Sequence, residues 1–271
     1  SNSVYGIEKK QFPYMLCITN MLLHGIDVPK IYHDNTLLHD VLDYTERDQF
    51  DVVLMNPPYG GSEKADVKSH FPDDLASSET ADLFMSVIMY RLKQNGRAAV
   101  ILPDGFLFGT DNAKVSIKQK LLREFNLHTI IRMPQSVFAP YTSITTNILF
   151  FDRTQPTQQV WFYRMDMPEG YKHFSKTKPM KPEHFDACKA WWKNRQEIQD
   201  IETDTYKAKA YSVEEIVNGG YNLDLCGYPT VEEEILSPEE TIRDFHERRN
   251  ALNARIDKKL AQIEALLEGK A

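Results

Sequence analysis

The sequence contains no long hydrophobic run. None of its 271 residues belongs to an apolar stretch that approaches the roughly 18 residues needed to cross a bilayer. The chain also does not open on a basic segment followed by an apolar one, which is the pattern of a signal peptide. These features predict a protein that has no membrane partner and is located in the cytoplasm.

Cysteine is scarce. Cys17, Cys188 and Cys226 lie far apart and show neither a CxxC pair nor a Cys/His spacing. This pattern is not typical of a disulfide framework or of a structural zinc site. We therefore predict reduced thiols in a reducing compartment, and we predict no metal site.

Positive charge is in deficit. The 32 lysine and arginine residues are outnumbered by 39 acidic residues, which leaves a formal net charge of −7. A protein that binds nucleic acid chiefly through a broad surface is usually basic, because contacts with phosphates supply most of the affinity. If DNA or RNA is the substrate, its contacts must be local or must come from a partner.

The apolar residues that are present form alternating strand and helix patterns. This alternation predicts an α/β fold with a parallel, doubly wound sheet, in which the strand at 50–55 is covered on both faces. The last two strand candidates have no helix between them and predict a hairpin at an antiparallel edge. The strand candidates are KIYH (30–33), FDVVLM (50–55), RAAVILP (97–103), LHTIIRMP (127–134), SITTNILFFD (143–152) and QQVWFYRMD (158–166). The predicted helices cover 11–25, 77–96 and 114–125.

The terminal region, residues 231–271, contains one long predicted helix over 237–269. Ser237 and Glu240 form a capping box around Pro238 at the first helical position, and Gly269 ends the helix. A narrow apolar stripe predicts that this helix packs against another helix, either of its own domain or of a partner subunit. The stripe consists of Phe245, Leu252, Ile256, Leu260, Ile263 and Leu267.

The segment DVVLMNPPYGG, residues 51–61, places Asn56 at the carboxyl end of a predicted strand, where ligands bind in open α/β sheets. The two prolines that follow supply no backbone donor and hold the preceding carbonyls in a set direction. The Asn56 side-chain oxygen and the Pro57 carbonyl can therefore accept from one planar NH₂ group, and Tyr59 can stack on the ring that carries it. This chemistry suits an exocyclic amine or an amide nitrogen, although a strand-terminating turn with a capping asparagine would have the same residues.

The sequence resembles the amino-group methyltransferases that use S-adenosylmethionine. In particular it resembles the modification (methyltransferase) subunit of type I restriction-modification systems, which methylates adenine N6 in DNA. The resemblance implies a Rossmann-like class I S-adenosylmethionine-dependent methyltransferase fold and covers residues 4–228. It rests on VYGIEKKQFPYMLCITNMLLHGID, DVVLMNPPYGG, ETADLFM, GRAAVILPDGFLFG and VFAPYTSITTNILFFD, in that order.

The resemblance also implies roles for the residues at the target base. Asn56 and the Pro57 carbonyl would accept from the N6 amine, with Pro58 completing the rigid corner. Tyr59 would stack on an adenine that has swung out of the duplex, since N6 is unreachable inside it. Phe138 matches the second aromatic wall of the base pocket, although core packing would also place a phenylalanine there.

Three further residues match the positions that bind S-adenosylmethionine in this family. Glu8, at the end of the strand-like VYGIE, matches the acidic residue that binds the ribose hydroxyls. Asp34 or Asn35 matches the position that reads the amine of the cofactor's adenine. An ordinary surface glutamate and a plain Asx turn would look the same in the sequence.

Glycine is missing where the family has its cofactor loop. Only Gly6 and Gly25 precede Asn56, and they form no Gly-x-Gly turn. The resemblance then implies that the chain starts at the second strand of the fold, without the first strand, the methionine-binding loop and the N-terminal helical domain. We expect a gap in the sheet, weak or no cofactor binding and no activity by this chain alone.

The resemblance divides the chain into 1–155, a partial catalytic domain, 156–230, an accessory region, and 231–271, a helix for subunit packing. It implies four partners: DNA, a specificity subunit, a restriction subunit and a second methyltransferase subunit. Two other functions remain open at this point. One is methylation of a protein glutamine at N5, and the other is a non-catalytic assembly module.

Overall fold

The computed structural model describes residues 4–200, 203–229 and 237–267. The chain forms two compact units, Ser1–Tyr228 and Pro229–Ala271. The strands are β1 (Tyr5–Glu8), β2 (Lys30–His33), β3 (Phe50–Met55), β4 (Leu92–Pro103), β5 (Asn126–Arg132), β6 (Thr146–Asp152), β7 (Gln159–Arg164), β8 (Ile198–Asp200) and β9 (Thr205–Ser212). The α-helices are α1 (Gln11–Leu23), α2 (Ala65–Lys68), α3 (Thr80–Arg91), α4 (Asp104–Phe108), α5 (Asn112–Glu124), α6 (Asp186–Lys193), α7 (Val213–Asn218) and α8 (Pro238–Leu267).

A seven-stranded mixed sheet forms the centre of the first unit, in the order β3-β4-β6-β5-β7-β9-β8. β3 is parallel to β4, and β5 is parallel to β7, while β6 lies antiparallel between β4 and β5. β9 and β8 add an antiparallel edge. The predicted α/β class is confirmed, and its antiparallel strands lie both inside the sheet and at one edge.

The predicted hairpin between β6 and β7 is wrong. β7 pairs with β5 and β9 because the chain leaving β6 crosses the start of β5 to reach its far side. Thr157 holds this crossing: its Oγ1 donates to the Phe125 carbonyl at 2.8 Å and accepts from the Leu127 amide at 2.9 Å. These two bonds satisfy the Phe125 carbonyl and the Leu127 amide, which are buried backbone groups at the start of β5.

β1 and β2 form a separate parallel sheet of two strands. Within the described residues, neither β1 nor β3 has a strand on its second edge, and a cavity of 430 Å³ lies between the two edges. Tyr5 and Ile7 line it from β1, and Val53 and Met55 line it from β3. The predicted gap in the sheet is therefore confirmed.

The prediction that β3 is covered on both faces is wrong. Val53 is 9% exposed on the face that packs against the core, whereas Leu54 is 79% exposed on the other face. Helix α1 forms as predicted, and Gly25 has the expected positive φ of 77°, but no residue of α1 is buried. One face of β3 and much of α1, including Phe12, Leu16 and Leu23, therefore present apolar side chains to solvent.

The helix predicted for 77–96 is shorter than expected. It runs from Thr80 to Arg91, and β4 begins at once with Leu92. The chain then turns at Asn95, which has a positive φ of 62° and whose amide donates to the Arg153 carbonyl at 3.0 Å. The pairing of this segment with the end of β6 outweighs its helical preference.

Helices α3 and α5 cover the buried face of the sheet. Of the twelve residues in α3, nine are buried, so it is a core helix rather than an amphipathic one. They pack with strand residues such as Val100, Leu149 and Phe162, each fully buried. Among the described helices, none is both long and apolar enough to cross a membrane.

The predicted C-terminal helix is confirmed as α8. Its capping box is present: the Ser237 amide donates to Glu240 Oε2 at 2.9 Å, and the Glu240 amide donates to Ser237 Oγ at 3.3 Å. Phe245 and Leu252, both in the predicted stripe, are 60% and 55% exposed. Gly269 and the side chains of Ile263 and Leu267 lie outside the described residues. Packing of α8 against another helix stays a prediction.

Candidate active site

The corner at Asn56 follows directly from the end of β3. The ladder with β4 stops at the pair Met55–Val100, and neither Pro57 nor Pro58 can donate to extend it. Pro57 is buried and Asn56 is exposed, so the corner is anchored through its proline and presents its amide. The sheet thus holds Asn56 at the carboxyl end of a strand, as predicted.

Tyr59 turns back onto this corner. Its hydroxyl donates a hydrogen bond to Asn56 Oδ1, which orients the amide oxygen toward the tyrosine ring. Burial raises the pKa of Tyr59 to about 12, so the phenol keeps its proton at neutral pH and remains a donor. Asn56 Oδ1 therefore accepts a hydrogen bond from a neutral hydroxyl of the same corner.

Phe138 lies against Tyr59, with the ring centroids 6.2 Å apart and the ring planes at 59°. The two side chains come from loops that follow different strands, β3 and β5. Phe138 is partly buried, and it also lines a cavity with Met133 and Ile148. The structure brings together two aromatic rings and an amide oxygen, which is the arrangement expected for a flat ligand that carries an amine.

The predicted cofactor residues lie at the carboxyl ends of β1 and β2. The Glu8 carboxylate accepts from the Lys10 amide at 2.6 Å. Asn35 Oδ1 accepts from the Leu37 amide at 3.2 Å, so the Asx turn is present, and Asp34 Oδ2 contacts His39 Nε2 at 3.0 Å. Both roles for Asn35, turn and ligand contact, remain compatible with this geometry.

A polar cavity of 500 Å³ is lined by Asp34 and Asn35 together with Glu63 and Lys64. Glu63 belongs to the loop after the Asn56 corner, and it pairs with Lys9, which follows β1, at 3.2 Å. Carboxylate and amide oxygens in such a cavity suit the hydroxyl and amino groups of a nucleoside. The residues present therefore fit the adenosine part of S-adenosylmethionine.

A buried polar network, which was not predicted from the sequence, lies at the same edge of the sheet as Asn56. Arg132, at the end of β5, has a side chain that is 4% exposed. Its guanidinium donates to Asn147 Oδ1 at 2.6 Å and to the Leu225 carbonyl at 2.9 Å. It also pairs with Asp104 at 3.2 Å and with Asp224 at 2.8 Å. One sign of this network is visible in the sequence: Asp104 follows one apolar run, Arg132 ends a second, and Asn147 begins a third.

The LPDGFLFG segment forms the end of β4 and helix α4. Phe106 is 1% exposed in the core, whereas Phe108 is 54% exposed. Lys118, fully buried in α5, donates to the Leu107 and Gly109 carbonyls at 3.1 and 2.8 Å. Burial lowers the pKa of this ammonium group to about 8. Lys118 therefore holds this segment in place through hydrogen bonds to two of its backbone carbonyls.

No group of three or more His, Cys, Asp or Glu residues in the described part of the chain is arranged to hold a metal ion.

The sheet has the Rossmann-like fold of class I S-adenosylmethionine-dependent methyltransferases, and the Asn56 corner lies at the carboxyl end of its strand β3. The profile of the family described as N-6 DNA Methylase matches residues 1–235. The chain belongs to this family.

Relatives of known type agree with this assignment. The chain is 49% identical to the EcoEI type I restriction enzyme methylase subunit of Escherichia coli, over 82% of this chain and 45% of that subunit. It is 31% identical to the EcoKI methylase subunit of Escherichia coli strain K12, over 66% of this chain and 35% of that subunit. The crystal structure of a type I methyltransferase subunit from Streptococcus thermophilus superposes with a TM-score of 0.65 at 31% identity, covering 83% of this chain and 48% of that one. The chain therefore spans less than half the length of each of these relatives.

Proposed function

We propose that this chain is the catalytic part of a DNA adenine-N6 methyltransferase, the modification subunit of a type I restriction-modification system. The observation that carries the proposal is the Asn56 amide oxygen, held beside the rings of Tyr59 and Phe138. An extruded adenine offers the matching groups, a flat ring and an exocyclic amine. A glutamine side chain has the amide nitrogen but no ring to place between the two aromatic side chains.

In the proposed mechanism the target amine replaces the Tyr59 hydroxyl on Asn56. Asn56 Oδ1 and the Pro57 carbonyl then accept the two N6 hydrogens, which directs the nitrogen lone pair away from both oxygens. S-adenosylmethionine, when bound, supplies an electrophilic methyl group. The chain's own residues act by position and by stabilising the positive charge that develops on N6, which later loses one proton. Glu8, Asp34 and Asn35 are proposed to hold the cofactor's adenosine.

The open edges of β1 and β3 indicate what else this site needs. Parallel sheets are normally covered on both faces, whereas one face of β3 is bare, and β1 and β3 each leave one edge unpaired beside the same cavity, within the described residues. The relatives are more than twice as long as the matched segment. We propose that polypeptide corresponding to the rest of such a subunit fills the 430 Å³ space and completes the cofactor site.

A chimera tests the proposed function. In it, this chain replaces the matching segment of the EcoEI methylase subunit, to which it is 49% identical. We expect the chimera, assembled with the EcoEI specificity subunit, to transfer radiolabelled methyl groups to adenine N6 in DNA, and the isolated chain to transfer none. A folded chimera that labels protein, or that labels nothing, would contradict the proposal.

The two parts of Tyr59 are expected to have separable effects in this chimera. Tyr59→Phe keeps the ring and removes the donor that occupies Asn56, so methylation should stay within about threefold of wild type. Tyr59→Ala also removes the stacking surface, which is worth about 1–3 kcal/mol per base, and should weaken target binding by about 10- to 100-fold. The measurement is the fluorescence of 2-aminopurine placed at the target position, which reports extrusion of the base. Equal losses in both variants would show that the hydroxyl, and not the ring, binds the target.

Helix α8 is proposed to contact the partner subunits. Its 30 residues carry a stripe in which Ile242, Phe245, Leu252 and Ile256 are each 48–60% exposed. Exposed apolar residues at this spacing favour packing against helices of another chain. We propose the specificity subunit as the partner of α8, and a restriction subunit and a second methyltransferase subunit as the other members of the assembly. Sequence recognition by the specificity subunit would account for the absence of a broad basic surface here.

A further inference from the structure

Residues 172–195 are strongly basic in an otherwise acidic chain. The segment contains seven lysine or arginine residues and two acidic residues, while the whole chain has a net charge of −7. The side chains of all six lysines point into solvent, at positions 172, 176, 178, 181, 189 and 193. Such a local concentration is the kind of contact that an acidic protein needs if it is to touch nucleic acid directly.

Three of these lysines border a groove on the open face of the sheet. Two cavities, of 510 and 460 Å³, share Ile148, Phe185 and Lys189 and so form one groove. The floor is apolar and aromatic, and it includes Phe150 and Trp192, whose ring centroids are 4.8 Å apart. Lys181, Lys189 and Lys193 contribute to the lining. A groove with stacking surfaces below and cations along its border has the composition of a single-strand binding site.

The groove begins at the candidate base pocket. Phe138 lines its first cavity and also faces Tyr59, with 6.2 Å between the ring centroids. The basic segment is tied to the same loop, because the Phe174 amide donates to Ser136 Oγ at 2.8 Å. The basic segment, the groove and the base pocket are therefore one continuous surface of the first unit.

We propose that this groove, from Phe138 to Trp192, binds the nucleotides next to the extruded target base, in single-stranded form. Their bases would lie on the aromatic floor and their phosphates would contact Lys181, Lys189 and Lys193. Lys189 already pairs with Asp186 at 2.8 Å, but both side chains are more than 60% exposed, so that pair is weak and exchangeable. Nucleotides are favoured over an acidic helix of a protein partner because the aromatic floor continues from Phe138, which faces Tyr59 in the proposed base pocket. The proposal rests on the proposed function, since it assigns a second part of the same substrate.

The test measures binding of a short fluorescein-labelled oligothymidine to the 271-residue chain by fluorescence anisotropy, between about 50 and 200 mM KCl. We expect the combined variant Lys181→Glu, Lys189→Glu, Lys193→Glu to bind at least 10-fold more weakly at the lowest salt concentration. Loss of three phosphate contacts should also lower the slope of log K against log salt by about 2, because each contact with a single strand contributes about 0.7. The corresponding glutamine variant should show the same change in slope with a smaller loss of affinity.

The matched control has the same change in charge at the opposite edge of the sheet: Lys93→Glu, Arg97→Glu, Arg123→Glu. Like the groove variant, the control replaces one lysine of an exposed ion pair, Lys93 with Asp51 at 2.9 Å. Its affinity for oligothymidine should stay within about threefold of wild type. An equal loss in the control would show a simple net-charge effect and would overturn the proposal. So would the absence of oligothymidine binding by the wild-type chain.

Polyglutamate serves as the competing ligand. If it binds as tightly as the oligonucleotide, the groove binds an acidic protein, and the assignment to DNA is wrong. The binding assay contains no cofactor and oligothymidine contains no adenine, so its result does not depend on methyl transfer. Failure of the groove proposal is therefore measured separately from failure of the methyltransferase proposal.

Discussion

Replacing Asn56 with alanine should abolish methyl transfer by the chimeric subunit while leaving its affinity for S-adenosylmethionine within about twofold. The variant loses the side-chain acceptor that would orient the target amine, and loss of one such hydrogen-bonding group at a reacting centre costs about 10²–10³-fold in rate. Misplacement of the lone pair adds to this, so we expect a decrease of about 10³-fold or more. Cofactor affinity should persist because the polar cavity is lined by Asp34, Asn35 and their neighbours and not by Asn56.

Two measurements check this expectation, single-turnover transfer of labelled methyl groups and calorimetric titration with the cofactor. The matched control is Asn112→Ala, which removes an exposed amide from the start of α5 and should leave both measurements unchanged. Near-normal turnover of Asn56→Ala would exclude the proposed role of the amide. A parallel loss of cofactor binding would show that Asn56 belongs to the cofactor site and not to the target-base site.

Replacing Arg132 with methionine should lower the free energy of unfolding by about 3 kcal/mol, because it removes a buried guanidinium together with its ion pairs and leaves a buried acceptor unpaired. The guanidinium joins the end of β5 to three other parts of the chain, through Asp104, Asn147 and the adjacent Asp224 and Leu225. Methionine fills much of the space but satisfies none of these acceptors. Asn147 is itself fully buried, so its amide oxygen would be left without this donor.

Urea denaturation of the 271-residue chain measures the change. Arg123→Met is the matched control because its side chain is 75% exposed and, among the described residues, its ion pair is with the neighbouring Glu124. That variant should lie within about 0.5 kcal/mol of wild type. If Arg132→Met is equally harmless, the network does not hold the segment from Leu223 to Tyr228 against the sheet.

Much of the fold was predictable because its signals are local. β-branched runs predicted most of the strands, and Gly25 and the Ser237–Glu240 box marked helix ends that the structure confirms. The Asn56 corner was also readable, since two prolines after an apolar run leave few alternatives for the backbone. The gap beside β1 was predicted from a missing glycine turn, and the structure shows two sheets with a cavity between them.

The errors concern pairing over long distances in the chain. β6 and β7 are neighbours in sequence and looked like a hairpin, yet β6 lies between β4 and β5. Both arrangements bury the same apolar side chains, so composition cannot choose between them. The exposed face of β3 was misjudged for a similar reason, because an apolar run shows what needs cover but not which element supplies it.

The sequence by itself determined most of the elements, the rigid Asn56 corner and the family to which the chain belongs, since all of these depend on residues close together in the chain. Only the tertiary structure decided which distant residues meet. It placed Phe138 against Tyr59, joined Arg132 to Asp104 and Asp224, and lined one groove with lysines next to Phe138. The physical reason is that such contacts depend on strand order and packing, which are settled by the burial of the whole core and not by any single segment.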